Sequence, residues 1–350
     1  MELPKKSFKA FIFAIIYTIA LCSLLAAYHI YWKGHLSYQN PRNKMSPLNN
    51  PERKKYEVQR IEDVQSKTQP YNLTLEYINI TSYPYIMNEP NKCKDESPFL
   101  IFLIATVANE VESRRAIRTT FGATLENGAT VMCLFLLGKD NTQKSNSILE
   151  ESEKHHDIIQ KDFQDTYNNL PIKILMGIEW VSNYCPRAKY VMKTDSDMFV
   201  NTYRLMDLLG PDQPQKQNFF TGFVLEKHRP HRNKDSKWHM PYSQYAGEFY
   251  PTFCSGTGYV FSGDVATKIL NSSFHVKYIY LEDVFVGLCL DREGVKVTAP
   301  PHPYLFYNYR VRYQPCVYNR IITSHYMTPT DIINYWKITQ EYKEKCSKSR

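Results

Sequence analysis

Residues Ala188 to Asn201 read AKYVMKTDSDMFVN, and this stretch decides the fold. Tyr190, Val191 and Met192 are bulky and favour extended backbone, so they form a buried strand that ends where Asp and Ser begin. Open α/β sheets gather their ligands outside the carboxyl ends of the strands, and this strand delivers Asp195 and Asp197 there. Carboxylates that close repel one another. With only the small Ser196 between them, both can turn toward one hard divalent ion and the phosphates it carries. Asp-Ser-Asp is also ordinary turn chemistry, so the spacing alone leaves a plain turn open.

The chain has 350 residues, 43% apolar and 14% aromatic, enough to bury a large core. A net charge of +8 suits a polyanionic ligand such as a nucleotide, or simple solubility. No arginine-rich tract or zinc-finger spacing occurs, which sets nucleic-acid binding aside. From Ala10 to Trp32 there is no Asp, Glu, Lys or Arg, a span long enough to cross a bilayer as a helix. Lys5, Lys6 and Lys9 precede it, which favours a cytoplasmic N-terminus and a body on the far side. A cleaved signal peptide is the competing reading; against it, the apolar part is too long and Leu25-Ala26-Ala27 is a poor cleavage site.

A lumenal body agrees with the glycosylation triplets at Asn72, Asn79 and Asn271. It agrees too with seven cysteines beyond Cys22 in the anchor. Seven is odd, so at least one stays free or pairs between chains, and none has the C-x-x-C spacing of a zinc site. Cys185 to Cys254 is the pairing expected, since both flank the central stretch.

The organisation expected is a tail over 1–9, an anchor over 10–32, a stem over 33–97 and a lumenal domain over 98–350. The stem is polar and punctuated by proline from Pro41 to Pro90. The body opens at Pro98 with FLIFLIAT, apolar on both faces like a buried parallel strand. Glu110 to Thr120 has helical composition, with Arg114 and Arg118 one turn apart, able to reach a phosphate or to face solvent. Val131–Gly138 and His156–Phe163 read as strands, and Tyr167–Cys185 as an amphipathic helix with Leu170, Ile174, Leu175, Ile178 and Val181 inward. Alternation of strand and helix marks an α/β sheet with parallel members.

Beyond Asn201 the pattern loosens. Asn218–Val224 and Phe253–Ser262 read as strands, separated by a long loop carrying Trp238 and Tyr242, a lid or a binding wall. Gly256-Thr257-Gly258 lets backbone approach a ligand closely. Glu282 and Asp283 open the apolar run LEDVFVGLCL; they complement a helix dipole or supply a catalytic base. His325 lies in the strand-like run IITSHYM.

These motifs, in this order, are similar to the β-1,3-galactosyltransferase family of Golgi β-1,3-glycosyltransferases. The matching stretches are RRAIRTTFG from Arg114, FLLG from Phe135, DIIQKDFQDTYNNLPIK from Asp157 and KTDSDMFVN from Lys193. They continue with DSKWHMP from Asp235, FCSGTGYVFSGDVA from Phe253 and LEDVFVGLCL from Leu281. Phe121 stands where the family usually has Trp. The resemblance implies a GT-A nucleotide-sugar transferase fold on a single-pass anchor in the Golgi membrane, Mn²⁺ as cofactor and UDP-galactose as donor. It implies an inverting transfer of galactose, in β-1,3 linkage, to a terminal N-acetylhexosamine, chiefly N-acetylglucosamine, on a glycoprotein or glycolipid glycan.

By the same resemblance, Asp195, Asp197 and His325 hold the metal, Asp283 is the general base, and Arg114, Arg118 and Lys193 surround the donor. The alternatives are transfer of N-acetylglucosamine or N-acetylgalactosamine, a glycoside hydrolase using the acidic pairs, or a non-catalytic glycan-binding protein.

Overall fold

Six residues in a row, Leu100–Ala105, are buried, and their neighbours explain why a strand can be apolar on both faces. Ile101, Leu103 and Ala105 point into one core, and Leu100, Phe102 and Ile104 into another. The computed structural model describes residues 76–95, 97–123, 130–139 and 145–347. All of them fall in one compact unit, Val64–Arg350.

In chain order the sheet strands are β1 (Tyr85–Met87), β2 (Leu100–Ala105), β3 (Val131–Lys139), β4 (Ile158–Gln164) and β5 (Tyr190–Asp195). A short β6 (Phe199–Val200) follows, then β7 (Phe220–Leu225), β8 (Phe253–Ser262) and a short β9 (Thr323–Ser324). The main sheet has the order β1-β4-β3-β2-β5-β8-β7. Its four middle strands, β4, β3, β2 and β5, are parallel. β1 at one edge and β8 with β7 at the other run antiparallel, and β6 pairs with β9 in a separate ribbon. The sheet is mixed and mostly parallel.

The helices are α1 (Val111–Arg118), α2 (Ser145–His155), α3 (Leu170–Tyr184), α4 (Thr202–Leu209), α5 (Gly263–Ser273), α6 (Glu282–Arg292), α7 (Pro315–Tyr318) and α8 (Pro329–Ser347). α3, α5 and α6 pack in one core, and α1, α4, α7 and α8 in the other. Phe121 is buried there, edge-on to Phe102 at 5.6 Å.

Three expectations are corrected. The stem boundary at residue 97 is too late. Ile78 and Ile80 are buried in the α3 core, β1 hydrogen-bonds to β4, and Cys93 is bonded to Cys185. That bond also replaces the Cys185–Cys254 pairing. The second disulfide is Cys316–Cys346, and Cys254 is a free buried thiol, like Cys133 and Cys289. α3 is not half exposed, since Pro171 through Val181 are all buried. Residues 76–95 cover its outer side, where Trp180 donates to Asn88 Oδ1 at 3.0 Å and Tyr85 to Glu179 Oε2 at 3.0 Å.

The anchor, the tail, most of the stem and Asn72 lie outside the described residues. No helix among the described residues is long and apolar enough to cross a membrane.

Candidate active site

The strand register sets the site. Asp195 pairs with Ala105 at the carboxyl end of β5, beside the loop that leaves β2. β8 pairs with β5 only from Ser262 back to Gly258, so its first residues, Phe253–Thr257, run past the end of β5. α6 begins against that overhang. The edge of the sheet therefore carries one acidic turn, one glycine-bearing strand end and one helix N-terminus.

Asp197 is buried and Asp195 partly exposed. The chain then enters β6, whose pairing places Phe199 opposite Ser324 and swings the following His325 back over the turn. His325 Nε2 lies 3.3 Å from Asp197 Oδ2, and single ligand atoms of Asp195, Asp197 and His325 all fall within 4.8 Å of one another. The Nδ1 of His325 meets the carbonyl oxygen of Asn308 at 3.1 Å. A carbonyl only accepts, so Nδ1 carries the proton and, in the neutral ring, Nε2 presents its lone pair to the carboxylate. Lone pairs that face each other this closely are reconciled by a proton or a cation between them. Two hard carboxylates and one imidazole fit a divalent ion such as Mn²⁺.

Lys193 is the hub behind this turn. It is 1% exposed, and its Nζ lies 2.9 Å from Asp195 Oδ1 and 3.4 Å from Glu282 Oε2, while also donating to the carbonyl of Gly256. Burial works against its charge, and Asp195 and Glu282 outweigh that, so the ammonium is held above its ordinary range. Glu282 is buried too, and Tyr259 Oη donates to its Oε1 at 2.6 Å. Burial pushes the Glu282 carboxyl up to about 7, against the pull of Lys193.

Asp283, the next residue, faces outward and is half-buried. Its Oδ2 accepts from the Gly256 amide at 3.1 Å and its Oδ1 from the Val284 amide at 2.9 Å. Burial raises its carboxyl above the usual carboxylate range, and those amides hold it back. Gly256 is a glycine because of this approach: a Cβ there would lie 2.9 Å from Glu282 Oε2. The glycines of β8 thus bring backbone up to the acidic pair itself. A carboxylate held by amides with one face open is suited to accept a proton.

The structure brings Asp195, Asp197, His325, Lys193 and Asp283 to one edge. Arg114 and Arg118 do not join them. Arg114 is wholly buried, and its guanidinium is taken up by Glu151 at 2.8 and 2.7 Å and by the carbonyls of Val107 and Ala108. Arg118 pairs with Glu151 at 2.7 Å and with both oxygens of Asp157 at 2.8 Å, at the start of β4. The pair at i and i+4 does share one face, but that face meets the carboxylates of Glu151 on α2 and of Asp157, just before β4.

Two participants were not legible. Glu110 Oε2 accepts from the Ser196 hydroxyl at 2.7 Å, which ties the acidic turn to the β2–α1 loop. Tyr167, from the turn before α3, is 41% exposed, its ring meets Tyr280 edge-on at 6.4 Å, and its hydroxyl is raised by partial desolvation and then by the charge of Asp283. Beside them Trp238 is 43% exposed and leans on His231 at 5.5 Å. A Glu before an arginine-rich helix and a lone Tyr in a loop carry no sequence signal of their own.

A family model described as galactosyltransferase matches residues 112–301, and a β-1,3-galactosyltransferase 2 N-terminus model matches residues 25–101. β-1,3-Galactosyltransferase 2 of Mus musculus is 51% identical over 270 residues, 76% of this chain and 64% of that protein. The chain thus spans somewhat less than two-thirds of that relative. β-1,3-Galactosyltransferase 1 of Mus musculus is 44% identical over 273 residues, 76% of this chain and 81% of that protein. Among solved structures, galactosyltransferase LgtC with donor and acceptor sugar analogues overlaps 71% of this chain and 95% of its own, with 11% identity and a TM-score of 0.34. The match over residues 112–301 takes in α1, the acidic turn, the glycine-bearing strand end and the Glu282-Asp283 pair, and the chain belongs to the galactosyltransferase family.

Proposed function

We propose that the chain is an inverting β-1,3-galactosyltransferase of GT-A type, moving galactose from UDP-galactose to a terminal N-acetylhexosamine, chiefly N-acetylglucosamine, on a glycoprotein or glycolipid. The observation that carries this is Lys193, which joins Asp195 of the acidic turn to the strand end that holds Asp283. The names of its relatives support the same reaction.

Asp195, Asp197 and His325 would hold the divalent cation, Mn²⁺ in this reading. Bound there, a divalent cation would supply positive charge to offset what develops on the leaving diphosphate. Asp283 takes the proton of the acceptor hydroxyl. The oxygen then attacks the anomeric carbon as the bond from that carbon to the UDP oxygen breaks, and one displacement turns an α-linked donor into a β-linkage. Lys193 and Glu282 keep Asp195 and Asp283 in register without reaching the substrate. Trp238, Tyr167 and Tyr280 offer aromatic faces for the acceptor sugar.

The setting proposed is the Golgi membrane, anchored through residues 10–32 with the catalytic body lumenal. Asn79 and Asn271 are exposed, as N-glycans there require, and Asn72 is the third acceptor proposed.

The test is an acceptor array incubated with UDP-galactose and Mn²⁺, with and without EDTA. Transfer to a terminal N-acetylhexosamine that EDTA abolishes is the result expected. Transfer from UDP-N-acetylglucosamine or UDP-N-acetylgalactosamine instead would replace the donor, and glycan binding indifferent to UDP would replace the enzyme.

A further inference from the structure

His325 reaches Asp197 on a strained piece of backbone. The next residue, Tyr326, has φ +58°, in the left-handed region that costs a residue with a Cβ about 1 kcal/mol. The amide after it, of Met327, donates to the main-chain oxygen of Asp197 at 2.9 Å. The conformation at Tyr326 therefore fixes the imidazole and the acidic turn relative to each other. A strained residue of this kind persists only when its surroundings hold it.

Here the holding groups are identifiable. Arg310 Nη1 donates to the carbonyl of Tyr326 at 2.7 Å. The same guanidinium meets Asp331 fork to fork, at 2.9 and 3.0 Å, and donates to Tyr335 Oη at 3.0 Å. Asp331 is locked in turn by a capping box at the start of α8: Thr328 N and Oγ1 donate to its Oδ2 at 3.0 and 2.8 Å, and its own amide donates back to Thr328 Oγ1 at 3.1 Å. The Tyr326 ring lies flat on the imidazole, 3.9 Å away at 21°, yet is 45% exposed. A ring so exposed adds little to the core, and it stacks on the histidine.

We propose that Arg310, Asp331 and Tyr326 are positioning residues that hold His325 at Asp197 and so set how tightly this site takes a divalent cation. The inference rests on the cation reading of Asp195, Asp197 and His325. It makes the N-terminus of the C-terminal helix part of the metal site's support.

The test reads binding without turnover. Mn²⁺ is titrated into the full chain with UDP present, and free Mn²⁺ is followed by its electron paramagnetic resonance signal. Arg310→Gln and Tyr326→Gly are expected to weaken Mn²⁺ uptake about tenfold, the usual effect of removing an outer support. Tyr326→Phe, which keeps the ring, is expected to retain wild-type affinity. Glycine accepts φ +58° freely, so Tyr326→Gly should unfold no earlier than wild type, which separates lost positioning from lost folding. Affinity within about twofold of wild type in Arg310→Gln and Tyr326→Gly would overturn the proposal. No Mn²⁺ uptake by the wild-type chain would overturn the cation reading first, and this inference with it.

Discussion

The ammonium of Lys193 lies 2.9 Å from Oδ1 of Asp195, two positions further along the same strand. Alternate residues of a strand share a face, so β5 presents a cation and an anion side by side at its exit from the core. Since Lys193 also reaches Glu282, its removal strands two carboxylates at once. Lys193→Met is expected to destabilise the fold by about 3–5 kcal/mol, the usual cost of breaking a buried ion pair. Adding Glu282→Gln should recover part of that loss. Urea unfolding of the two single variants and the double variant measures the coupling, and simple additivity would mean that Lys193 and Glu282 do not support each other.

Asp283 is half-buried and held by two amides, and its substitution separates chemistry from binding. Asp283→Asn preserves shape and one of the two acceptor positions, the other becoming an NH2 donor, and it cannot take a proton. Turnover is expected to fall by about 10²–10⁴, the range for loss of a general base, with UDP affinity in Mn²⁺ little changed. Turnover near the wild-type rate would remove Asp283 from the mechanism.

The environment of Asp283 also fixes a pH dependence. Burial raises its carboxyl, so protonation sets in at a higher pH than for an exposed carboxylate. A base works only when ionised, so kcat/KM is expected to fall as pH drops, with its acid limb above the ordinary carboxylate range. The limb belongs to the Glu282–Asp283 pair rather than to either residue alone, because their charges interact. A profile flat down to the ordinary carboxylate range would contradict the assignment.

Much of this was readable from residue order. The run LIFLIA had to be a central strand because both its faces are apolar, and YVMKTD delivered the acidic turn to the sheet edge as its pattern implied. Arg114 and Arg118 failed for a physical reason. Their spacing defines a shared face but not what faces it, and Glu151 lies on a helix that periodicity did not bring out. α4 and α8 went unread although both carry caps. Asn201 Oδ1 accepts from the Arg204 amide at 3.1 Å, Gly210 closes α4 at φ 67°, and Thr328-Pro329-Thr330-Asp331 spells a helix start. The Cys93–Cys185 bond was beyond reach, since pairing over 92 residues depends on the chain's path and not on spacing.

Loss of a ligand from the proposed metal site should act on donor binding rather than on the fold. His325→Ala deletes one of the three proposed ligands and leaves Asp195 and Asp197 in place. It is expected to weaken Mn²⁺-dependent UDP binding by about 10–100-fold, measured by calorimetry, with the urea midpoint changed little. Equal UDP affinity with and without His325 would assign the imidazole a purely structural place beside Asp197.

Glu151 gives a stability test away from the reaction. Burial alone would raise its carboxyl, and Arg114 and Arg118 outweigh it, so its folded value lies below the ordinary one. A depressed carboxylate stabilises the fold fully above its unfolded value, about 4.3, and that contribution is lost as pH falls from there through the folded value. Glu151→Gln is therefore expected to cost about 3 kcal/mol at neutral pH, since it takes the carboxylate partner from the buried Arg114 guanidinium and leaves Arg118 to Asp157. The gap from wild type should narrow as pH falls below about 4.3, where the wild-type carboxylate begins to protonate as well. Urea unfolding of both proteins across that range decides it, and a gap independent of pH would mean that the Arg114–Glu151–Arg118 contact contributes shape and not charge.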